Sequence, residues 1–276
     1  MAPAEFKGAI AFGGEVNTDL HLLGYQNSAQ SYAGPNCMLL HVPTAELTAN
    51  SLIPTTADRE FMNDMGKQVH SLMPQSRGMT FRGGGDYAPK AVVVQYGAYE
   101  IVLANSAGDI PEALERVSPA KRPVINSELL SWYDRNFPFH SFILACFNNV
   151  VEEATHPILV RYTPMDPTTI FVPGLESHSG QPPILGGRDH ERDFKVVFGS
   201  RLAVESSRVQ PVRYTTPLSP LRHLLPTSVV GFRDEGLGTN SDYIARVEDV
   251  RSGVNGASLF KTMSAHTTGL ELGWLH

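Results

Sequence analysis

Glu176, His178, Asp189, His190 and Asp193 crowd the stretch from residue 176 to 193. Glu176 and His178 are two residues apart, so an extended backbone points both side chains the same way. Two imidazoles with one or two carboxylates form a ligand set for Zn²⁺ or Fe²⁺ that leaves a position open for water. A metal so held lowers the pKa of its bound water toward neutrality, which is the basis of hydrolytic metal chemistry. The set on this reading is Glu176, His178, His190 and Asp193. Its spacing departs from the oxygenase facial triad, where a carboxylate follows the first His and the second His lies far downstream.

Without a metal the same residues read as acid–base groups. His178 and His190 titrate near neutral pH, and Asp189 is placed beside His190 to orient it. Arg188 is the candidate contact for an anionic substrate. The plainer alternative is a structured loop whose carboxylates cap turns and pair with Arg188 and Arg192. Ser177 and Ser179 flank His178, but neighbours on an extended segment point to opposite faces. No G-x-S-x-G elbow is present to raise a nucleophilic serine.

Other candidates are weaker. Cys146 lies in an apolar run, where a thiol is a small buried hydrophobe. Cys37 and His41 sit four residues apart, roughly 13 Å along a strand, too far to form a dyad. The glycine-rich run Arg82–Asp86 presents backbone N–H groups to an anion, but lacks the Lys-Ser/Thr that completes a phosphate loop. Neither G-x-G-x-x-G, H-E-x-x-H nor C-x-x-C occurs.

The elements that must position these residues come next. Strands are predicted at 36–42, 91–95, 99–104, 141–147, 158–163, 169–172 and 194–199, with weaker ones at 9–12, 229–232 and 243–247, while 259–263 reads as either strand or helix. Gly97 marks a hairpin between those at 91–95 and 99–104, and the pair at 141–147 and 158–163 reads as another. Helices are predicted at 55–73 from a Thr55/Asp58 cap, at 109–117 from Asp109 with Glu112, and at 126–136 from Asn126. Helices gather in the first half and strands in the second. The expected fold is therefore α+β: a mixed, mostly antiparallel sheet covered by two or three helices. Residues 1–204 would form the core domain, and 205–276 a long irregular extension rich in Pro and Gly.

Composition narrows the function classes. The chain of 276 residues has a net charge of −6, and the basic residues near 188–195 are cancelled by adjacent acids, which argues against nucleic acid as a partner. No apolar run approaches the roughly 20 residues of a membrane span, and the N-terminus does not read as a secretory signal. A cytoplasmic protein is expected. Two cysteines exclude a disulfide framework while leaving room for one bridge. Three functions compete: an enzyme, metal-dependent or hydrolytic, on the 176–193 loop; a homo-oligomer or interaction protein using the C-terminal extension; and a binding module for a small anionic or polar molecule.

Overall fold

Short apolar runs punctuated by turns make strand the dominant regular structure of the described residues. The structure is a computed structural model, and it describes residues 6–29, 34–69, 91–148, 156–177, 179–184, 190–203, 211–253 and 260–263. Within these, twelve strands form three sheets. The first sheet contains β1 (Phe6–Asn17), β2 (Leu20–Ala29), β7 (Ile158–Tyr162), β9 (His190–Ser200) and β10 (Val229–Gly238), in the order β10-β9-β1-β2-β7. Its β1–β9 pair is parallel and the others antiparallel. The second sheet is antiparallel, with β3 (Pro35–Val42), β4 (Val92–Tyr96), β5 (Tyr99–Ala104) and β6 (Ser141–Asn148) in the order β3-β6-β5-β4. The third joins β8 (Thr169–Val172), β11 (Asp242–Arg246) and β12 (Phe260–Met263) in the order β12-β11-β8.

A sheet covered by two or three helices is not what forms. The expected first helix shortens to α1 (Phe61–Gly66), because its predicted caps have other partners. Thr55 Oγ1 bonds His156 Nε2 and the Pro157 carbonyl, and Asp58 pairs with Arg222. Residues 70–73 of that prediction lie outside the described residues. The second is α2 (Ile110–Leu114), of five residues. Only α3 (Ser127–Asn136) matches its prediction closely: the Asn126 side chain accepts the Glu128 N–H, and Leu129, Leu130 and Tyr133 are buried. A fourth, α4 (Val247–Arg251), follows β11 directly. Helices this short leave the faces of the sheets to be covered by one another.

The main core does this, drawing on all three sheets. β5 is buried at every position and β6 at all but its last, so both read as continuous apolar runs rather than alternating ones. Close approach of the first and third sheets needs Gly13, where a Cβ would run into the Phe171 carbonyl. The far face of the first sheet carries a second cluster: Ile10, Phe12 and Leu22 pack under Phe61, Met62 and Met65 of α1 and under Val212, Leu221 and Leu225.

Within the predicted C-terminal extension, residues 211–253 supply two strands, one α-helix and core side chains. The predicted hairpin of 141–147 with 158–163 does not form. β6 lies between β3 and β5, and β7 borders β2.

Candidate functional site

The loop that follows β8 is held from below by strand residues distant in sequence. Arg192, on β9, is 1% exposed and shares its face with Phe194, Val196 and Phe198. Its guanidinium donates to the Gly174 carbonyl (2.8 Å), the Ser241 carbonyl (3.3 Å), Asp234 Oδ2 (3.1 Å) and the Tyr243 hydroxyl, and lies 4.9 Å over the Phe194 ring. Burial alone would lower the Arg192 pKa, but Tyr243, Glu176 and Asp234 outweigh it and the net shift is upward. Gly174 itself has no room for a Cβ, which would meet the Tyr243 ring.

Asp242 completes the anchor. One carboxylate oxygen accepts the N–H groups of Gly174 (2.9 Å) and Leu175 (3.0 Å). The other meets His41 Nε2 at 2.8 Å. Asn240 brackets Glu176 through both its N–H and its carbonyl. His41 continues to His140, with the two Nδ1 atoms 2.8 Å apart. Burial pushes His140 well below the usual imidazole range, so it is neutral. Facing the Asp242 carboxylate, His41 donates from Nε2. Asp242, His41 and His140 are each at most 5% exposed, and Phe137, Tyr133 and Phe171 ring His41. This chain fixes orientations within the interior and presents no reactive atom to a substrate.

Of the predicted site residues, Glu176, His190 and Asp193 are among the described residues. Glu176 sits in the anchored loop beside the Arg192 network. Asp193 faces the opposite side of β9, where its carboxylate accepts the Gly8 N–H at 2.7 Å. His190 begins β9, opposite Gly238. His178, Arg188 and Asp189 lie outside the described residues, as do the 82–86 loop and the C-terminal Trp274. Among the described residues no three His, Cys, Asp or Glu side chains lie close enough to hold a metal ion. Among them, too, no helix is long and apolar enough to cross a membrane.

A second charged group is arranged differently. Glu15 lies on the Ala9–Ala11 face of β1, opposite His21 of β2, which in turn opposes Tyr162 of β7. The Glu15 side chain is fully buried and accepts from Ser200 Oγ (2.5 Å), from Arg251 Nε (2.9 Å) and from Arg251 Nη2. Burial would raise its pKa, but the hydrogen bonds from Arg251 and Ser200 bring it below the ordinary carboxylate value. His21 is fully buried with neither ring nitrogen hydrogen-bonded, and burial lowers its pKa to about 4.

Arg251 reaches the surface. Its side chain is 36% exposed and lines a cleft of about 460 Å³ with Thr18, Pro167, Thr168, Arg246, Val247 and Glu248. The Glu15 pair takes the Nε edge of the guanidinium, side-on. The end-on fork, formed by Nη1 and the second Nη2 proton, makes no hydrogen bond among the described residues and is the edge that grips carboxylate or phosphate bidentately. Arg246 stands at the rim, paired with Glu248 at 3.1 Å.

Sequence reasoning missed Arg192, Asp242, His41, His140, Glu15 and Arg251 as partners. One signal was available: Arg192, Phe194, Val196 and Phe198 alternate, which puts Arg192 on a core face.

No protein-family model matches the chain, and no curated protein matches it. Among solved structures, a crystal structure of baculovirus P35 is 9% identical, with a TM-score of 0.45 over 90% of this chain and 90% of that one. A mutated baculovirus P35 after caspase cleavage, at 2.7 Å resolution, is also 9% identical, with a TM-score of 0.44 over 88% of this chain and 92% of that one. Similarity at this level carries no inference about what this chain does.

Proposed function

We propose that the protein is a binding module for a small anionic ligand, whose carboxylate or phosphate group is taken by Arg251 in the cleft between the β1–β2 turn, the β7–β8 turn and α4. One observation carries this reading. A fully buried carboxylate, Glu15, holds the Arg251 guanidinium by one edge and leaves its bidentate edge to a partly exposed cleft. Fixing the side chain beforehand removes part of the entropy cost of ordering it on binding. The Thr18 hydroxyl supplies a neutral hydrogen bond along the same wall, Pro167 and Val247 supply an apolar one, and the Thr168 hydroxyl is already donated to Asp166 Oδ1.

Titration calorimetry with inorganic phosphate and with malonate tests the reading. Saturable binding is expected, weakened about tenfold in Arg251→Lys, which keeps the charge but loses the fork. No saturable heat with either anion, or equal affinity in the variant, would overturn it.

A further inference from the structure

Cys37 and Cys146, far apart in sequence, are directly opposed across the antiparallel β3–β6 pair. Two features of β3 show that the position is a non-hydrogen-bonded one. β3 lies at the edge of its sheet with β6 as its neighbour, and alternate residues of such a strand turn their N–H toward that neighbour. Pro35, two residues before Cys37 and so of the same parity, has no N–H to give. Cys37 donates its own N–H to Asn36 Oδ1 at 2.8 Å. Directly opposed residues at such positions have Cα atoms about 4.5 Å apart and side chains on one face. A disulfide spans Cα separations of about 4.4–6.8 Å. Neither cysteine is in a disulfide.

We propose that Cys37 and Cys146 are a redox modification site, closing as a disulfide across β3 and β6 and reopening under a reducing thiol. The oxidant is a small disulfide, RSSR. The Cys37 thiolate attacks one of its sulfurs, the S–S bond breaks, and the departing RS⁻ takes up the proton that Cys37 released. The Cys146 thiolate then attacks the Cys37 sulfur of the mixed disulfide and expels the second RS⁻, which takes the proton from Cys146. Together the two cysteines lose two electrons and two protons, and RSSR becomes two RSH.

Access is through the edge strand. Cys37 is 7% exposed and Cys146 is sealed behind it, so the outer thiol is the one that meets the reagent. Burial pushes the Cys37 thiol up to about 12 and raises that of Cys146 as well, which makes closure slow at neutral pH. The reaction therefore waits on fraying of β3, a feature of sheet edges.

Incubation of the full chain with oxidised glutathione, followed by unfolding, alkylation and mass spectrometry, tests the proposal. A loss of two hydrogens is expected, with both cysteines protected from alkylation and a linked Cys37–Cys146 peptide pair. Tm should rise on the order of 5–10 °C and return with dithiothreitol, because the bridge closes a long loop. Cys37→Ala and Cys146→Ala should show no such rise. The wild-type mass reading stands by itself even where a variant folds poorly. Alkylation of both cysteines after prolonged oxidation, or glutathione adducts alone, would overturn the proposal.

Discussion

Asp242 and Glu15 are both carboxylates sunk into the interior, each 1% exposed, and they differ in where their partners lead. Asp242 accepts from two backbone N–H groups and from His41, and His41 leads on to His140, buried in the same core. Glu15 accepts from Ser200 and Arg251, and Arg251 emerges into a cleft. The first arrangement is closed: all its hydrogen bonds serve to seat the 174–176 backbone and to join β3 to β11. The second is open at one end. A closed network specifies a fold, since every partner it holds is a group that would otherwise be buried unpaired. An open one can hold a charge ready for something outside.

The comparison breaks most readily on stability. Asp242→Ala strands two backbone N–H groups and the His41 N–H in the core, and should cost about 3–5 kcal/mol. Glu15→Ala frees Arg251, which reaches water, and should cost about 1–2 kcal/mol. Urea unfolding of the two variants checks this, and equal losses would erase the distinction between closed and open.

Acid sharpens it next. The His21 pKa is about 4 in the folded chain, below its ordinary 6.5, so between those values the unfolded state binds the proton and the folded state does not. Stability is therefore complete above pH 6.5 and falls as the pH drops toward 4, with His21 responsible for about 3 kcal/mol. His140, also lowered by burial, acts in the same direction. His21→Leu should flatten the profile without loss at pH 7, because the imidazole it replaces makes no hydrogen bond. Unfolding curves across pH 4–7 measure the slope; an unchanged slope in the variant would assign the effect elsewhere.

The smallest effect concerns the rim. Glu248, paired with Arg246 at the surface, repels an incoming anion. Glu248→Gln should change stability by less than about 0.5 kcal/mol and tighten phosphate binding roughly two- to threefold. Calorimetry at low salt, where rim charges act most strongly, reads the difference.

Much of the strand map was legible. The runs at 36–42, 91–95, 99–104, 141–147, 158–163 and 169–172 are strands within a residue or two, and 194–199 falls inside the longer β9, because a buried strand needs an apolar run and the run is local. The Asn126 cap was legible for the same reason: its partner is two residues away. Thr55 misled because capping is only one use of a hydroxyl, and His156, about a hundred residues later, took it instead. Where Asp193 points was not legible from its distance to Glu176 in sequence: the alternation of β9 turns it away from the side that Arg192 reaches. Nothing near Asp242 in sequence indicated His41, since the two meet only when β3 and β11 are brought together.

What the chain determines by itself is therefore local: where strands run, where the Gly97 turn falls, where α3 begins, and which residues of a strand share a face. Backbone sterics and two-residue alternation act within a few residues, so the residue types in place are enough. Tertiary structure alone decided that β1 lies parallel to β9, that 211–225 cover the second face of the first sheet, and that Glu15 meets Arg251. Those outcomes depend on which apolar faces fit together, and the cost of closing the intervening loop rises only slowly with its length, so nearness along the chain says little about which partner wins.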